Sequence, residues 1–410
     1  MEQPSLPLST VSPDALAARV KQLALAAGFD RAGIARAEPF TQDADIALAR
    51  IGRGLMDGLP WYHSRRVALG ADPERLLPGA RSIVSLALGY RTVEPPPAPS
   101  SELGVELWGR VSRYAWGRDY HAIVRQRLKA FLRSLRQETE FRARAFVDTG
   151  PMLDRAAAVR AGVGWSGKNT NVLTATHGSW VFLAQVLTDL ELAPDLPLRK
   201  SCGACARCLP ACPTGALTPY ELDNRRCISY LTIENRGPIP REMRTLMGTW
   251  AFGCDLCQEA CPVNRKAAPS LEEGFLPRSP FHAAPPLLEL LELDDVSFRE
   301  RFAGTAVLRA KRWGLQRNAC VALGNLGDAA AVPALARALA ASDHPVVRGH
   351  AAWALGRLAT AEALRALAQA LASETDPGAR EEVRQALQEA RAGRVQPVPG
   401  AADSRAADAL

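Results

Sequence analysis

The chain has 410 residues, 47% of them apolar and 23% charged, with a formal net charge of +7. That length and apolar content provide for two to three domains with their own cores, and the basic balance favours a polyanionic partner. No uncharged run is long enough to span a bilayer, and residues 1–15 lack the basic start and apolar centre of a secretory signal, so a cytosolic, non-membrane protein is expected. In chain order, apolar spacing predicts an amphipathic helix over residues 16–27 and a strand over 83–88. A helix follows over 120–136, buried through Val124, Leu128, Phe131 and Leu135, then a strand over 145–147, a helix-forming run over 153–161 and a strand over 180–187. This alternation predicts an α/β domain over residues 1–197. A cysteine-rich domain is expected over 198–270, a linker and helical repeats over 271–395, and a flexible tail over 396–410.

The linker is marked by Pro277, Pro280, Pro285 and Pro286. Beyond it, Ala322-Leu323-Gly324 recurs as Ala354-Leu355-Gly356 and again as Ala386-Leu387, while Leu335, Leu339 and Pro345 recur as Leu367, Leu371 and Pro377. A period of 32 residues with Leu and Ala at packing positions predicts stacked helix pairs, a C-terminal α-solenoid of HEAT-like repeats that presents a surface to a partner. Cys320, on the first of these helices, reads as a buried structural thiol.

The other eight of the nine cysteines lie between residues 202 and 261. They read Cys202-x2-Cys205-x2-Cys208-x3-Cys212-Pro213, an isolated Cys227, and Cys254-x2-Cys257-x3-Cys261-Pro262. The first run has the bacterial ferredoxin spacing, in which three close thiolates hold one [4Fe-4S] cluster and the fourth serves the other. The crossed assignment gives one cluster to Cys202, Cys205, Cys208 and Cys261, and the second to Cys212, Cys227, Cys254 and Cys257. Ala251 stands where the second run needs its first cysteine, so Cys227 must come from a distance. A disulfide framework suits small secreted chains, and zinc suits paired C-x2-C units; the triple run closed by Cys-Pro suits neither.

Clusters carry single electrons, and the chemistry that receives them must lie elsewhere in the chain. Gly162-Val163-Gly164-Trp165-Ser166-Gly167-Lys168-Asn169 spells G-x-G-x-x-G and nearly a Walker A loop. It follows a helix-forming run rather than a strand, and Asn169 replaces the hydroxyl residue that would hold magnesium, so a nucleotide site is not expected there. Val147-Asp148-Thr149-Gly150-Pro151 leaves a strand for a helix. Asp148 at such a strand end could donate a proton, and Asp148 or Thr149 could cap the helix beginning near Pro151, roles that can coexist.

Several segments together resemble the epoxyqueuosine reductase family. They are Val147-Asp148-Thr149-Gly150-Pro151, Arg155-Ala156, Gly162 to Thr170, Gly178-Ser179-Trp180, Cys227 to Thr232 and Gly253-Cys254-Asp255-Leu256-Cys257, with Arg113, Trp116 to His121 and Gln316-Arg317-Asn318-Ala319. The resemblance runs from about residue 15 to 390. It implies a cobalamin-dependent cytoplasmic oxidoreductase that reduces epoxyqueuosine to queuosine at the wobble position of tRNAs for Tyr, His, Asn and Asp, the final step of queuosine biosynthesis; a monomer is adequate to enclose one such loop. The first domain would be a nitroreductase-like, reductive-dehalogenase-like cobalamin fold, followed by the ferredoxin-like two-cluster domain. An external low-potential donor (flavodoxin, ferredoxin or a flavin reductase) would feed the clusters. The resemblance makes Asp148 the proton donor and gives cobalamin contacts to Arg66, Ser112, Asp148, Lys168, Asn169, Val172, Leu183 and Ser229.

Val124 stands where a cobalt-ligating D-x-H-x-x-G motif would need glycine, so His121 is not expected to bind cobalt. To keep a proton near neutral pH, the acid should sit in an apolar or anionic pocket. Arg110, Arg113, Arg118, Arg125, Arg127, Lys129, Arg133, Arg136, Arg142 and Arg144, with Arg309, Lys311, Arg312, Arg317 and Arg348 at the start of the repeats, are the candidate contacts to an anticodon stem-loop. The competing reading is a cobalamin and iron-sulfur enzyme of reductive dehalogenase type acting on a small molecule.

Overall fold

The computed structural model describes residues 12–93 and 107–393, and the tail expected over 396–410 lies outside them. The described residues form two compact units that do not follow sequence order. The first draws on Met1–Val93, Arg118–Arg225 and Leu256–Leu276; the second on Glu94–Gly117, Arg226–Asp255 and Pro277–Leu410. The chain therefore changes unit inside the cysteine segment rather than at its ends. The second unit also takes residues 107–117, expected in the α/β domain, because Arg110–Val111 pairs in parallel with Trp250–Phe252.

In the first unit α1 (Pro13–Ala26) starts at Ser12, whose hydroxyl accepts the Ala15 amide at 3.3 Å, with Pro13 preset for the first turn. Strand β1 (Arg31–Arg36) and helices α2 (Thr41–Gly52), α3 (Ser64–Gly70) and α4 (Pro73–Leu76) follow. Sequence reading missed these four. β1 has little β-branched character and becomes a strand by pairing with β2 (Ser82–Gly89). The long α5 (Tyr120–Arg136) matches its predicted bounds, and β3 (Ala143–Phe146), α6 (Asp154–Arg160) and β4 (Val181–Thr188) complete the set. The sheet order is β1-β2-β4-β3 and every neighbouring pair is antiparallel. Central β2 is buried at all eight residues, which is why it reads as an unbroken apolar run. α6 and the loop before it press onto neighbouring backbone. A Cβ at Gly33 would stand 2.1 Å from the Ala161 carbonyl oxygen, and one at Gly70 1.8 Å from that of Pro151, so only glycine permits this packing.

The second unit holds α7 (Ile228–Ile233) and the repeats, α8 (Arg312–Leu326), α9 (Val332–Ala341), α10 (Pro345–Leu358), α11 (Ala361–Ser373) and α12 (Pro377–Arg391). α10 packs on α8 and α12, and α9 on α11. The recurring glycine marks these contacts: a Cβ at Gly324 would meet the Trp353 ring at 2.7 Å, and one at Gly356 would meet Ala386 at 2.9 Å. Cys320 is fully buried, and burial pushes its thiol up to about 12, the behaviour of a structural residue. No helix among the described residues is long and apolar enough to cross a membrane.

The repeats are tied to the segment before them by polar side chains of α8. Arg317, 1% exposed, donates to the carbonyls of Asn235 and Gly237 (both 2.8 Å) and Leu231 (2.6 Å). Asn318, with no exposure, donates to those of Thr232 and Ala251 (both 2.8 Å) and accepts from Arg317. Arg317 is thus a correction to the set of RNA-contacting candidates. Arg312 pairs with Asp295 and Asp343, Arg348 with Glu374 and Arg309 with Glu234, so these too are spent within the unit.

Asn318→Ala strands two buried carbonyls, each worth about 1–3 kcal/mol. The urea midpoint should fall accordingly with little change in m, and an unchanged midpoint would contradict this role.

Candidate functional site: a strained acidic loop and converging thiols

β3 ends at Phe146 and α6 begins at Asp154, and the loop between them is anchored by buried Val147 and Met152. The N-cap of α6 is Leu153, without a side-chain cap bond, so Asp148 and Thr149 are not the helix caps that sequence chemistry suggested. Asp148 instead occupies the left-handed region at φ 50°, a conformation that costs energy in a residue with a Cβ. The Thr149 amide folds back onto the Val147 carbonyl, and Arg66 of α3 donates to the carbonyls of Thr149 (3.1 Å) and Gly150. These bonds hold the tight turn that lifts the Asp148 side chain outward.

The Asp148 side chain is 64% exposed, so the apolar or anionic pocket expected around it is not what the structure provides. Its Oδ2 accepts the Tyr120 hydroxyl, and His121 Nε2 lies 3.7 Å away. Asp119 holds His121 in turn, with Oδ1 2.8 Å from Nδ1 and 2.9 Å from the backbone amide. Burial works to raise the Asp119 carboxyl, but these bonds outweigh it and hold it below the usual range. His121 is thereby turned toward the acid. Tyr120 stacks on Phe182 at 4.2 Å, and Phe182 packs against Tyr90 and Phe275, which gives the acid an aromatic wall. Tyr120 and His121 lie in a motif that carried the resemblance, but their approach to Asp148 spans two elements and leaves no local pattern to read.

The first residue of α6 carries a second carboxyl that sequence reading missed. Asp154 is partly exposed as a residue, but its Oδ1 is sealed from solvent without a hydrogen-bond partner. Burial first, then the charge of Asp148, pushes its carboxyl up to about 7, against a lowering pull from Arg155 and Arg66.

The glycine-rich segment after α6 serves packing. A Cβ at Gly164 would stand 2.4 Å from the Leu173 carbonyl oxygen, across the small hairpin of Trp165–Ser166 with Val172–Leu173. Lys168 donates its amide to Cys202 Sγ at 3.4 Å and its ammonium to the Gly203 carbonyl at 2.8 Å, and Asn169 donates to the Cys257 carbonyl at 3.3 Å. These two residues therefore line the thiol region. Val172 is buried in the core cluster, and half-buried Leu183 packs against that cluster, one residue from the Phe182 ring. In the second unit, buried Ser112 spends its hydroxyl on Asp255 Oδ1 at 2.7 Å, and Ser229 sits in the first turn of α7.

Cys202, Cys205, Cys208 and Cys261 act on one another. Burial raises the thiols of Cys208 and Cys261, and charge on the other members of the set raises them further. Among the described residues no three His, Cys, Asp or Glu are placed to share one metal ion, so the grouping is looser than a single-ion site. Cys212 Sγ lies 3.4 Å from the Thr214 hydroxyl, Cys227 occupies the N-cap of α7, and Cys254 follows the Trp250–Phe252 strand.

Comparison with known proteins adds three family matches. A profile for epoxyqueuosine reductase matches residues 71–149, one for a 4Fe-4S double cluster binding domain residues 201–264, and one for HEAT repeats residues 302–388. The chain is 41% identical over 323 residues to an epoxyqueuosine reductase of Gloeobacter violaceus, covering 77% of this chain and 98% of that protein. An epoxyqueuosine reductase solved with a tRNA-Tyr epoxyqueuosine-modified stem loop superposes with TM-score 0.86 at 34% identity, covering 92% of this chain and 99% of that one. The Bacillus subtilis epoxyqueuosine reductase, solved with its catalytic aspartate loop swung out of the active site, gives TM-score 0.84 at 33% identity over 91% of this chain and 98% of that one.

Arg66→Met removes charged donors to the loop, bonds of this type being worth about 1.5–3 kcal/mol. Amide exchange in residues 147–152 should quicken by roughly tenfold or more, while α5 and β4 keep their protection; equal exchange in both proteins would refute the clamp.

Proposed function

The chain belongs to the epoxyqueuosine reductase family, and from that premise we propose that it reduces epoxyqueuosine to queuosine in the anticodon loop of tRNA. The observation that carries this reading is Asp148, presented on a strained loop beside an aromatic wall with Tyr120 and His121 holding its carboxylate. The reaction takes two electrons and two protons: both carbon–oxygen bonds of the epoxide break, a carbon–carbon double bond forms and the oxygen leaves as water. Asp148 delivers a proton to that oxygen, and Tyr120 and His121 aim the carboxyl. The catalytic aspartate loop of the Bacillus subtilis relative, solved swung out of its active site, supports this role.

The electrons come from an external low-potential donor through two [4Fe-4S] clusters. One takes Cys202, Cys205, Cys208 and Cys261, supported by the mutual influence of these thiols, and the other Cys212, Cys227, Cys254 and Cys257. Cobalamin, when bound, would supply the low-valent cobalt that hands those electrons to the substrate. The residues present fit it in part. The aromatic wall gives a flat apolar surface, and Lys168, Asn169, Val172 and Leu183 are the contacts we retain beside Asp148. Ser229 stays a candidate through its backbone. Arg66 is occupied by the loop and Ser112 by Asp255, so both act by shaping the site rather than by offering free donors. His121 is engaged with Asp119 and turned to Asp148, which leaves it no role as a cobalt ligand.

The stem-loop docks along α5. Arg125, Lys129, Arg133 and Arg136 are exposed on one face of this helix, and Lys129, Leu132, Arg133, Arg136 and Gln137 line an open groove of about 460 Å³. The stripe runs about 17 Å along the helix, away from the Tyr120 end that holds the acid. A phosphate backbone laid on it would lead its loop toward Asp148.

Asp148→Asn should abolish queuosine formation, scored by nucleoside mass after anaerobic turnover, while iron content stays at the wild-type level; wild-type turnover would remove Asp148 from the chemistry. The triple change Lys129→Glu, Arg133→Glu and Arg136→Glu should weaken stem-loop binding by tenfold or more and flatten the log-affinity against log-salt slope by about two to three. An unaltered slope would place the RNA elsewhere.

A further inference from the structure

The first unit carries a basic rim around one set of thiols. From Leu196 to Tyr220 the chain holds Arg199, Lys200 and Arg207 but no Asp or Glu. The acids that flank this run are spent elsewhere in the unit: Asp195 pairs with Lys21 at 2.7 Å and Glu221 with Arg53 at 2.6 Å. Arg199, Lys200 and Arg207 are all exposed, and among the described residues none of them has a carboxylate partner. Lys200 lies over the Trp165 ring at 5.4 Å, which keeps its ammonium beside the run. Arg309, Arg312 and Arg348 of the second unit, each on a carboxylate, show the opposite arrangement.

The rim surrounds the most open thiol of the array. Cys205 is exposed, Cys208 is buried and the other six cysteines of the array are half-buried. Arg207 adjoins Cys208 and Lys200 stands just before Ser201 and Cys202, with tight turns between them: the Cys205 amide donates to the Cys202 carbonyl and the Leu209 amide to that of Ala206, both at 3.0 Å. Beyond Cys261, exposed Arg265 and Lys266 add the same sign against exposed Glu259. Next to Arg199, Leu196 is 83% exposed and Pro197 is exposed as well. A small apolar spot inside a charged rim is the make-up of a transient protein interface.

We propose that this rim is the docking site of the electron donor, and that the donor is a small acidic one-electron carrier protein. The proposal rests on the function proposed above and names the surface and the charge of its partner. Each encounter moves one electron: the carrier is oxidised, the cluster of Cys202, Cys205, Cys208 and Cys261 is reduced, and no bond or proton is transferred. Two encounters supply the two electrons of the reduction. Electron transfer falls off steeply with distance, so the carrier meets the cluster best where a thiol reaches the surface, at Cys205. Cations without partners draw an acidic carrier from solution and orient it, and the small apolar contact lets it leave again. RNA phosphates answer to the same charges, but the apolar spot and the open thiol among them favour a protein.

The test mixes anaerobic holoenzyme with reduced acidic flavodoxin and follows bleaching of the cluster absorbance without RNA. Wild-type reduction should slow about tenfold or more as salt rises from ~20 to ~300 mM. The triple change Arg199→Glu, Lys200→Glu and Arg207→Glu should lower the low-salt rate about tenfold or more and remove most of the salt dependence, while dithionite still reduces both proteins to the same extent. Should the reversed chain hold less iron than wild type, Arg199→Gln, Lys200→Gln and Arg207→Gln carry the test, with a drop of about threefold or more expected. Leu196→Ser should raise the half-saturating flavodoxin concentration and leave the salt dependence as it was. Equal flavodoxin rates in wild type and the charge variants, or a wild-type rate indifferent to salt, would overturn the docking site. So would loss of flavodoxin reduction on adding unmodified stem-loop RNA, which would assign the rim to nucleic acid. A chain whose cluster takes electrons from flavodoxin in this way but leaves epoxyqueuosine intact would refute the functional reading and leave the docking surface standing.

Discussion

A buried guanidinium with no carboxylate beside it organises the second unit. Arg317 is satisfied by carbonyl oxygens of Leu231, Asn235 and Gly237 and by Asn318, and burial depresses it to about 9. Such a group is stable only while those carbonyls stay where they are, because a buried charge that loses its partners costs several kcal/mol, on the order of 3–5. The consequence is positional. Residues 231–237 and 251 cannot drift from α8, and the neighbouring Cys227 and Cys254 are held on a backbone whose hydrogen bonds end in the first repeat helix. The repeats therefore serve as a rigid backing for cysteine-bearing segments, whatever surface they also present.

The same principle reaches further along the stack. His350 is fully buried and kept neutral, with Nε2 accepting the Ile239 amide at 3.1 Å and Nδ1 2.7 Å from the Val346 carbonyl. Asn325 donates to the carbonyls of Arg244 and Gly248, both at 2.8 Å, while Arg244 is itself buried against Glu382. Polar residues of the two inner helices, Arg317, Asn318 and Asn325 on α8 and His350 on α10, thus answer irregular backbone that has no ladder of its own. This is why the unit needs polar residues in a helical core, and why arginines that look like nucleic-acid contacts in the sequence turn inward.

At the acid, two carboxyls six residues apart meet opposite surroundings. Asp148 is exposed, strained and held by a phenol, and Asp154 at the start of α6 has an oxygen sealed from solvent and unpartnered. The environment able to keep a proton near neutral pH belongs to the residue with no motif to announce it. Glycine makes the arrangement possible, since Gly33 and Gly70 let α6 and its loop approach backbone closely enough to bury that carboxyl.

The spacing of the cysteines, the 32-residue period and the apolar stripe of α5 were legible because each is local: ligand spacing and helical periodicity are written in neighbouring residues. The α5 bounds matched for that reason, and Cys320 behaved as its place on a packed helix required. β1, with its single branched residue Ile34, has no such signature and exists through pairing with β2. The sequence by itself thus determined which residues could ligate iron, which helices repeat and that Asp148 ends a strand. Only the tertiary structure decided that Arg317 faces inward, that Tyr120 and His121 meet Asp148, and that an oxygen of Asp154 is sealed from solvent. Those outcomes depend on burial and on contacts between residues tens of positions apart, where desolvation and unpaired carbonyls set the energies and no local pattern records them.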